Sequence, residues 1–221
     1  MDLGVQKGIV AMAYMSIREM IALHHPEYLK VEEYPIDKVA AIVKTTDEWG
    51  IFGNFYKYPA KAGKREPMVT VEGVPFDCTE RLFQEMKIAD PECLRLIDAK
   101  PCGICFKRQM AKILKEHGQE WRTDWQDIIM DAMKFCLQKK YEQCKAFRDE
   151  LERSKGLFIV EDETKHLHGK EPLWGARQVG DVFQGANVLG KLLMELRDNG
   201  KLEYQLPEDA LDFIKALKWG K

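Results

Sequence analysis

Apolar residues recur at helical spacing over most of this chain, and strand-like alternation is confined to short runs. Val5, Ile9, Met12, Ala13, Met20, Ile21 and Leu23 predict a helix over 5–24, ended by His24-His25-Pro26. A second helix is predicted from Ile36 to Lys44, with Asp37 in its first turn. Residues 1–45 therefore read as a helical N-terminal extension, and Thr45-Thr46-Asp47 marks a change of style. From Trp49 to Phe76 the chain turns aromatic and rich in Gly and Pro. Met68-Val-Thr-Val-Glu72 alternates like a strand, and a turn at Gly73-Val-Pro75 predicts a small antiparallel pair.

Further along, Leu82, Phe83, Met86 and Ile88 predict a helix capped by Thr79 or Asp77. Two more helices follow, Pro91 to Asp98 and Phe106 to His117, separated by Pro101-Cys-Gly103. The apolar positions from Trp125 to Leu151 predict one long helix over Asp124 to Arg153, or two joined at Lys139-Lys140. Leu157-Phe-Ile-Val160 reads as a buried strand, and Glu161 to Gly185 as a polar loop. Asn187 opens a helix through Arg197, closed by Asn199-Gly200, and an amphipathic helix spans Pro207 to Leu217. The expectation is an α+β fold, mainly α-helical with a few short strands. Its main domain covers 46–200, and a C-terminal helix within 201–221 packs on it.

Composition narrows the class. The 221 residues are 45% hydrophobic and 32% charged, which suits one globular domain with an appendage. A formal net charge of −2 gives no overall pull towards polyanions. No run reaches the roughly 18 apolar residues of a membrane span, and no signal peptide is expected. The six cysteines then read as free thiols of a reducing, cytoplasmic compartment. Cys102-Gly-Ile-Cys105 lacks the second ligand pair of a zinc site, and His166-Leu-His168 lacks a completing carboxylate set; both read as metal-free.

Candidate chemistry gathers in three places. Glu80, Gln84 and Lys87 stand at i, i+4 and i+7 on one helical face beside Phe83, so a carboxylate, an amide and an ammonium could grip a ribose phosphate. The same spacing equally describes a first-turn Glu on a helix dipole followed by a solvated Lys. Trp49 to Tyr56 and Glu171-Pro-Leu-Trp-Gly175 are loops whose flat faces and polar groups suit a base and a sugar, or fold back onto the core. The helix start at Asn187, with Lys191 behind it, offers backbone N–H groups to a phosphate or is an ordinary cap.

Four blocks in order resemble one family. Gly50-Ile-Phe-Gly-Asn-Phe-Tyr56 is similar to G-x-L/F-S-N-F-Y/F, and Thr79-Glu-Arg-Leu-Phe-Gln-Glu-Met-Lys87 to S/T-E-x-x-F/Y-Q-x-x-K. Trp121-Arg-Thr-Asp-Trp125 with Met130, Lys134 and Phe135 is similar to R-x-D-W…M…K-F. Glu171 to Gly175 with Gly185-Ala-Asn187 and Leu189 to Arg197 resembles D-x-x-W-G…G-x-N-x-L-G-x-x-L-M-x-x-R. The family is NADAR, named for NAD and ADP-ribose, which includes the YbiA-like N-glycosidases. The chain departs from it at Gly53, where Ser is usual, and at Glu171, where Asp is usual.

The resemblance implies hydrolysis of a ribose C1′–N bond without metal or cofactor. The implied substrates are early phosphorylated riboflavin-pathway intermediates or ADP-ribosylated guanine, free or in nucleic acid, with release of ribose 5-phosphate or ADP-ribose. No membrane partner is implied. Carried onto this chain, Glu80 and Glu171 are the expected catalytic carboxylates. Asn54, Phe55, Phe83, Gln84, Lys87, Trp125, Trp174, Gly175 and Asn187 are the expected substrate-binding residues. Two alternatives stay open: a non-catalytic ADP-ribose or NAD-derivative binding module, and a partner-binding protein working through its N-terminal segment.

Overall fold

A computed structural model describes residues 16–165 and 171–218. The chain folds as a mixed α+β domain, predominantly helical. In chain order the elements are α1 (Ile17–His24), β1 (Glu32–Pro35), β2 (Val39–Ile42), β3 (Val69–Val71), β4 (Val74–Phe76), α2 (Thr79–Glu85), α3 (Pro91–Asp98), α4 (Phe106–Glu116), α5 (Trp125–Gln143), α6 (Lys145–Arg153), β5 (Phe158–Glu161), β6 (Arg177–Val179), β7 (Val182–Gly185), α7 (Val188–Asn199) and α8 (Asp212–Lys218). None of the described helices is long and apolar enough to cross a membrane.

Helix α5 is the axis of the core. Its Ile129, Met130, Ala132, Cys136 and Leu137 are buried, and Met133, Lys134, Gln138 and Lys140 are buried with them. A 19-residue helix with polar groups on its inward faces must give each of them a partner: Gln138 pairs with Glu142 and the Leu202 N–H, Lys134 lies over the Tyr28 ring, and Lys140 donates to the Gly53 carbonyl.

Three small sheets surround this axis. Strands β1, β7 and β6 form an antiparallel sheet, with Glu32 opposite Gly185 and Pro35 opposite Val182. β2 and β5 pair in parallel, from Val39 opposite Phe158 to Ile42 opposite Glu161. β3 and β4 make the expected small hairpin, turning through Glu72 and Gly73, both at positive φ, rather than through Gly73 to Pro75.

The structure corrects several sequence expectations. No helix forms over Ile36 to Lys44: a 3₁₀ turn at Ile36–Lys38 runs into β2. Val-Ala-Ala-Ile is a short apolar run that periodicity alone cannot assign, and a parallel partner at β5 decides for strand. With β1 paired to β7 and β2 to β5, residues 32–42 are woven into the domain. Helix α1 starts at Ile17 behind a capping box of Ser16 and Glu19, and the earlier part of the expected helix lies outside the described residues. The long helix breaks at Cys144 instead of Lys139-Lys140, because the Cys144 sulfur caps the new helix by accepting from the Phe147 N–H. The expected loop over 161–185 contains β6 and β7. Helix α8 is shorter than expected, and its buried Phe213, Ile214 and Leu217 seat it on the domain, with Phe213 against Phe76.

Candidate functional site

All seven residues of α2 are buried, so its polar groups must be paired or lead to a cavity. Its start is held by the aromatic loop. The Glu80 N–H donates to the Asn54 carbonyl at 2.9 Å, and the Thr79 hydroxyl donates to the carbonyl and side-chain oxygens of Asn54. The Asn54 amide nitrogen points to the Met133 sulfur at 3.3 Å. Asn54 is thereby a positioning residue, its polar atoms turned inward. Beneath it the fully buried Lys140 donates to the Gly53 carbonyl at 3.0 Å, with its ammonium 4.7 Å from the centre of the Phe147 ring. Burial holds Lys140 down at about 7.

From this anchor a polar chain runs along α2 and just past its end. Gln84 Nε2 donates to Glu80 Oε1 at 2.8 Å, and Lys87 Nζ donates to Gln84 Oε1 at 2.7 Å. The amide can face both ways only in this orientation, so it couples carboxylate to ammonium. A second cation, Lys107 at the start of α4, reaches Glu80 Oε1 at 3.2 Å; its side chain is 63% exposed against 6% for Glu80. The carboxylate is thus buried but met from the solvent side by a largely exposed cation.

Aromatic rings enclose the far end of the chain. Lys87 Nζ lies 5.2 Å from the Phe83 ring centre, 5.1 Å from Trp125 and 5.5 Å from Trp121. Phe83 meets Trp125 and Trp174 edge-on, with centroids 5.1 and 6.3 Å apart. Burial first, and then the charge of Lys107, lowers Lys87 to about 8, while Glu80 opposes the shift. Beside this cage opens a cleft of about 920 Å³, which Trp121 and Trp125 also line.

The second loop closes the site from β5 and α7. Gly175 must be glycine, since a Cβ there would lie 2.0 Å from the Glu161 carbonyl oxygen. Asn187 is fully buried at φ 51°, a region Asn tolerates. Its Nδ2 donates to the Ile159 carbonyl at 2.8 Å, and its Oδ1 accepts the Glu161 N–H at 3.3 Å. The N–H groups of Asn187, Val188 and Leu189 donate to the carbonyls of Gly175, Leu173 and Trp174. The loop carbonyls therefore fill the helix start that the sequence offered to a phosphate. Lys191 likewise donates to the carbonyls of Tyr28 and Lys30. Arg18 of α1 holds the same loop by donating to the Pro172 carbonyl at 2.7 Å.

Several expected residues sit elsewhere. The Glu171 side chain is 70% exposed and 3.8 Å from Arg177, its one ion-pair contact among the described residues. Phe55 lines a different cleft, with Ile51, Tyr56, Lys57 and Arg65, that includes none of the Glu80 row. His166 and His168 lie outside the described residues. Among the described residues no metal-holding cluster occurs. Cys102 is buried against Cys78, sulfur to sulfur 3.5 Å, while Cys105 accepts from Arg108. The Cys78 contact and burial push the Cys102 thiol up, which keeps it unreactive.

Sequence reasoning missed Lys107, Trp121 and Glu161. Glu161 ends β5, and burial, with the charges of Glu163 and Glu80, raises it to about 7 against the pull of Lys107. No side-chain partner binds its carboxylate among the described residues. Its position at the C-terminal end of a half-buried strand was the available signal. Lys107 carried none, since a lysine opening a surface helix is common.

Comparison with known proteins gives the family. The family model for the NADAR domain matches residues 42–199. A riboflavin biosynthesis protein of Vibrio vulnificus is 28% identical over 179 residues, covering 77% of this chain but only 41% of that protein. The N-glycosidase YbiA of Escherichia coli is 25% identical over 174 residues, covering 79% of this chain and 96% of YbiA. The NMR structure of E. coli YbiA superposes with a TM-score of 0.55 at 25% identity, over 78% of this chain and 92% of that one. With the matched segment spanning well over half its length, and with the Glu80 and Trp174 blocks inside it, this chain belongs to the NADAR family and is YbiA-like.

Proposed function

We propose that this protein is an N-glycosidase that hydrolyses the C1′–N bond of a phosphorylated ribosyl substrate. The observation that carries this reading is the buried Glu80–Gln84–Lys87 row, open on one side to Lys107 and walled by Phe83, Trp125 and Trp174. Departure of the nitrogen leaves positive charge on the sugar, and a desolvated carboxylate beside it stabilises that charge. Glu80 also takes the proton of the attacking water. Gln84 fixes the Glu80 oxygen through its amide. Lys87 and Lys107 supply charge to a phosphate or to ribose hydroxyls, while Trp125 and Trp174 wall the base.

The leaving nitrogen needs a proton. Glu171 was the expected second carboxylate, yet it faces solvent. Glu161 fits the task better, because it keeps its proton until about neutral pH and shares its field with Glu80 and Lys107. Water adds its oxygen to C1′, its proton goes to Glu80, and Glu161 gives its proton to nitrogen. The fitting substrates are ADP-ribosylated guanine, giving ADP-ribose, and early riboflavin intermediates, giving ribose 5-phosphate. Supplying each to wild type and Glu80→Gln and weighing the products by mass spectrometry tests the reading. Sugar release by wild type alone supports it. Binding of both with release of neither leaves a binding module and ends it.

A further inference from the structure

Trp125, Phe83 and Trp174 stand edge to face in a row, and α1 reaches both ends of it. At one end Met20, buried, lines the cleft of about 920 Å³ together with Trp121 and Trp125. At the other end Arg18 Nη2 donates to the Pro172 carbonyl at 2.7 Å, two residues before Trp174. Side chains two apart on a helix point about 200° from each other, so α1 is wedged between the Trp174 loop and the cleft. The capping box of Ser16 and Glu19 fixes where α1 starts, and with it where Arg18 stands.

The Trp174 loop has unequal supports. Its Leu173 and Trp174 carbonyls accept from the Val188 and Leu189 N–H groups of α7, and its Leu173 N–H donates to Glu163 at 3.1 Å. Pro172 has no N–H to offer, and Arg18 is the one donor to its carbonyl among the described residues. One side of the loop is therefore tied to the domain and the other to α1. The family match, residues 42–199, does not include α1. We infer that α1 is this chain's own specificity element: Arg18 is a positioning residue that sets the Trp174 wall, Met20 bounds the cleft, and together they decide which leaving base fits between the rings. This deepens the proposed function and rests on that reading for the reaction at the sugar. The Arg18 bond ends on the loop and not on Glu80, Gln84 or Lys87, so α1 acts on the base rather than on the bond that breaks.

Two small ligands separate base from sugar without any cleavage: GMP carries both, and ribose 5-phosphate carries the sugar alone. In calorimetric titrations of the full chain, Arg18→Met should weaken GMP about 5- to 30-fold and ribose 5-phosphate by less than about twofold, since loss of a whole base–ring contact costs up to about 150-fold. Arg18→Lys keeps a cationic donor and should recover most of the GMP affinity. Met20→Ala should likewise weaken GMP and spare ribose 5-phosphate. Partial unfolding lowers the number of sites titrated but not the ratio of the two dissociation constants, so that ratio reads positioning and not stability. With cleavable substrates, Arg18→Met should raise KM and hold kcat within about twofold. The inference is overturned if wild type holds GMP no tighter than ribose 5-phosphate, if the ratio in Arg18→Met equals that of wild type, or if both ligands weaken together. A shifted ratio with no sugar released from any substrate removes the N-glycosidase reading alone; sugar release with an unshifted ratio removes this inference alone.

Discussion

Helix α2 carries two polar rows, and only one of them ends in the cage of Phe83, Trp121 and Trp125. On one face Glu80, Gln84 and Lys87 form a chain that ends on Lys107 and an aromatic cage. On the next face Arg81 donates to Asp77 and Glu85 and to the carbonyls of Asp98 and Lys100, with Lys57 completing the cluster on Asp77. Both rows lie largely in the interior; Arg81 pairs with carboxylates four residues away on either side, whereas Glu80 reaches Lys87 through the neutral Gln84. The difference is closure. The guanidinium has protein acceptors all round and ties α2 to the turn after α3; Glu85 Oε2 lacks a partner among the described residues, but it is fully buried and out of reach of a ligand. The Glu80 row has an exposed lysine where its last partner should be. Buried charge marks a site only where its circle of partners is open.

Exchanging one residue in each row separates the roles. Glu80→Gln keeps shape and volume while removing the charge, and should lower kcat by about 10²–10⁴-fold with little change in Tm. A steady-state assay beside a thermal melt checks both. Arg81→Met should do the opposite. It strands the carboxylates of Asp77 and Glu85 and the two carbonyls, at a cost of about 3–5 kcal/mol in urea unfolding. Activity per folded molecule should persist at low temperature. If Arg81→Met instead abolishes turnover in fully folded protein, the two rows are not distinct.

Sequence alone carried the linkage of Glu80, Gln84 and Lys87 well, because i, i+4, i+7 along a buried helix leaves little freedom. It carried the partners poorly. Asn54, Asn187 and Gly175 read as substrate contacts, yet the amides turn to backbone and to Met133, and the glycine serves a close approach to Glu161. A motif identifies residues that cannot vary, and a residue that shapes a site is as constrained as one that touches the ligand. The strands β1 and β2 were illegible for another reason: each is four residues long, and its partner lies more than a hundred residues away.

Glu161→Gln sharpens the comparison through pH. With Glu161 raised to about 7, the proton donor is lost as pH climbs through neutrality, so wild-type kcat should fall above that point. The variant should be slower by at least about tenfold at pH 6, and its profile should lack the falling limb near 7. A substrate whose leaving group needs no protonation should restore most of its rate. Glu161→Asp should retain the limb, and a limb unchanged in Glu161→Gln assigns it to another group.

Lys140 tests the floor beneath the open row. Its pKa falls from 10.5 when unfolded to about 7 when folded, so between those values the unfolded chain binds the extra proton. This contribution to stability therefore rises with pH from about 7 towards 10.5, and below 7 a constant penalty remains. Lys140→Met abolishes that dependence but leaves the Gly53 carbonyl without its donor. The stability of wild type minus that of the variant should grow by about 1–3 kcal/mol between pH 6.5 and 9 in paired urea titrations. A flat difference would mean that the ammonium stays charged in the fold.

The smallest effect is expected at Glu171, where motif and geometry disagree most plainly. An exposed carboxylate 3.8 Å from an exposed arginine contributes little to stability, and Glu171→Gln should move unfolding by no more than about 0.5 kcal/mol. Its kinetic effect should stay within about threefold, visible in KM sooner than in kcat, because its charge sits outside the Glu80–Lys107 pair. The double variant with Glu161→Gln decides between the two carboxylates. Additive losses keep Glu171 outside the reacting group. A Glu171→Gln loss as large as that of Glu161→Gln, and no further loss in the double variant, would place both in one proton path.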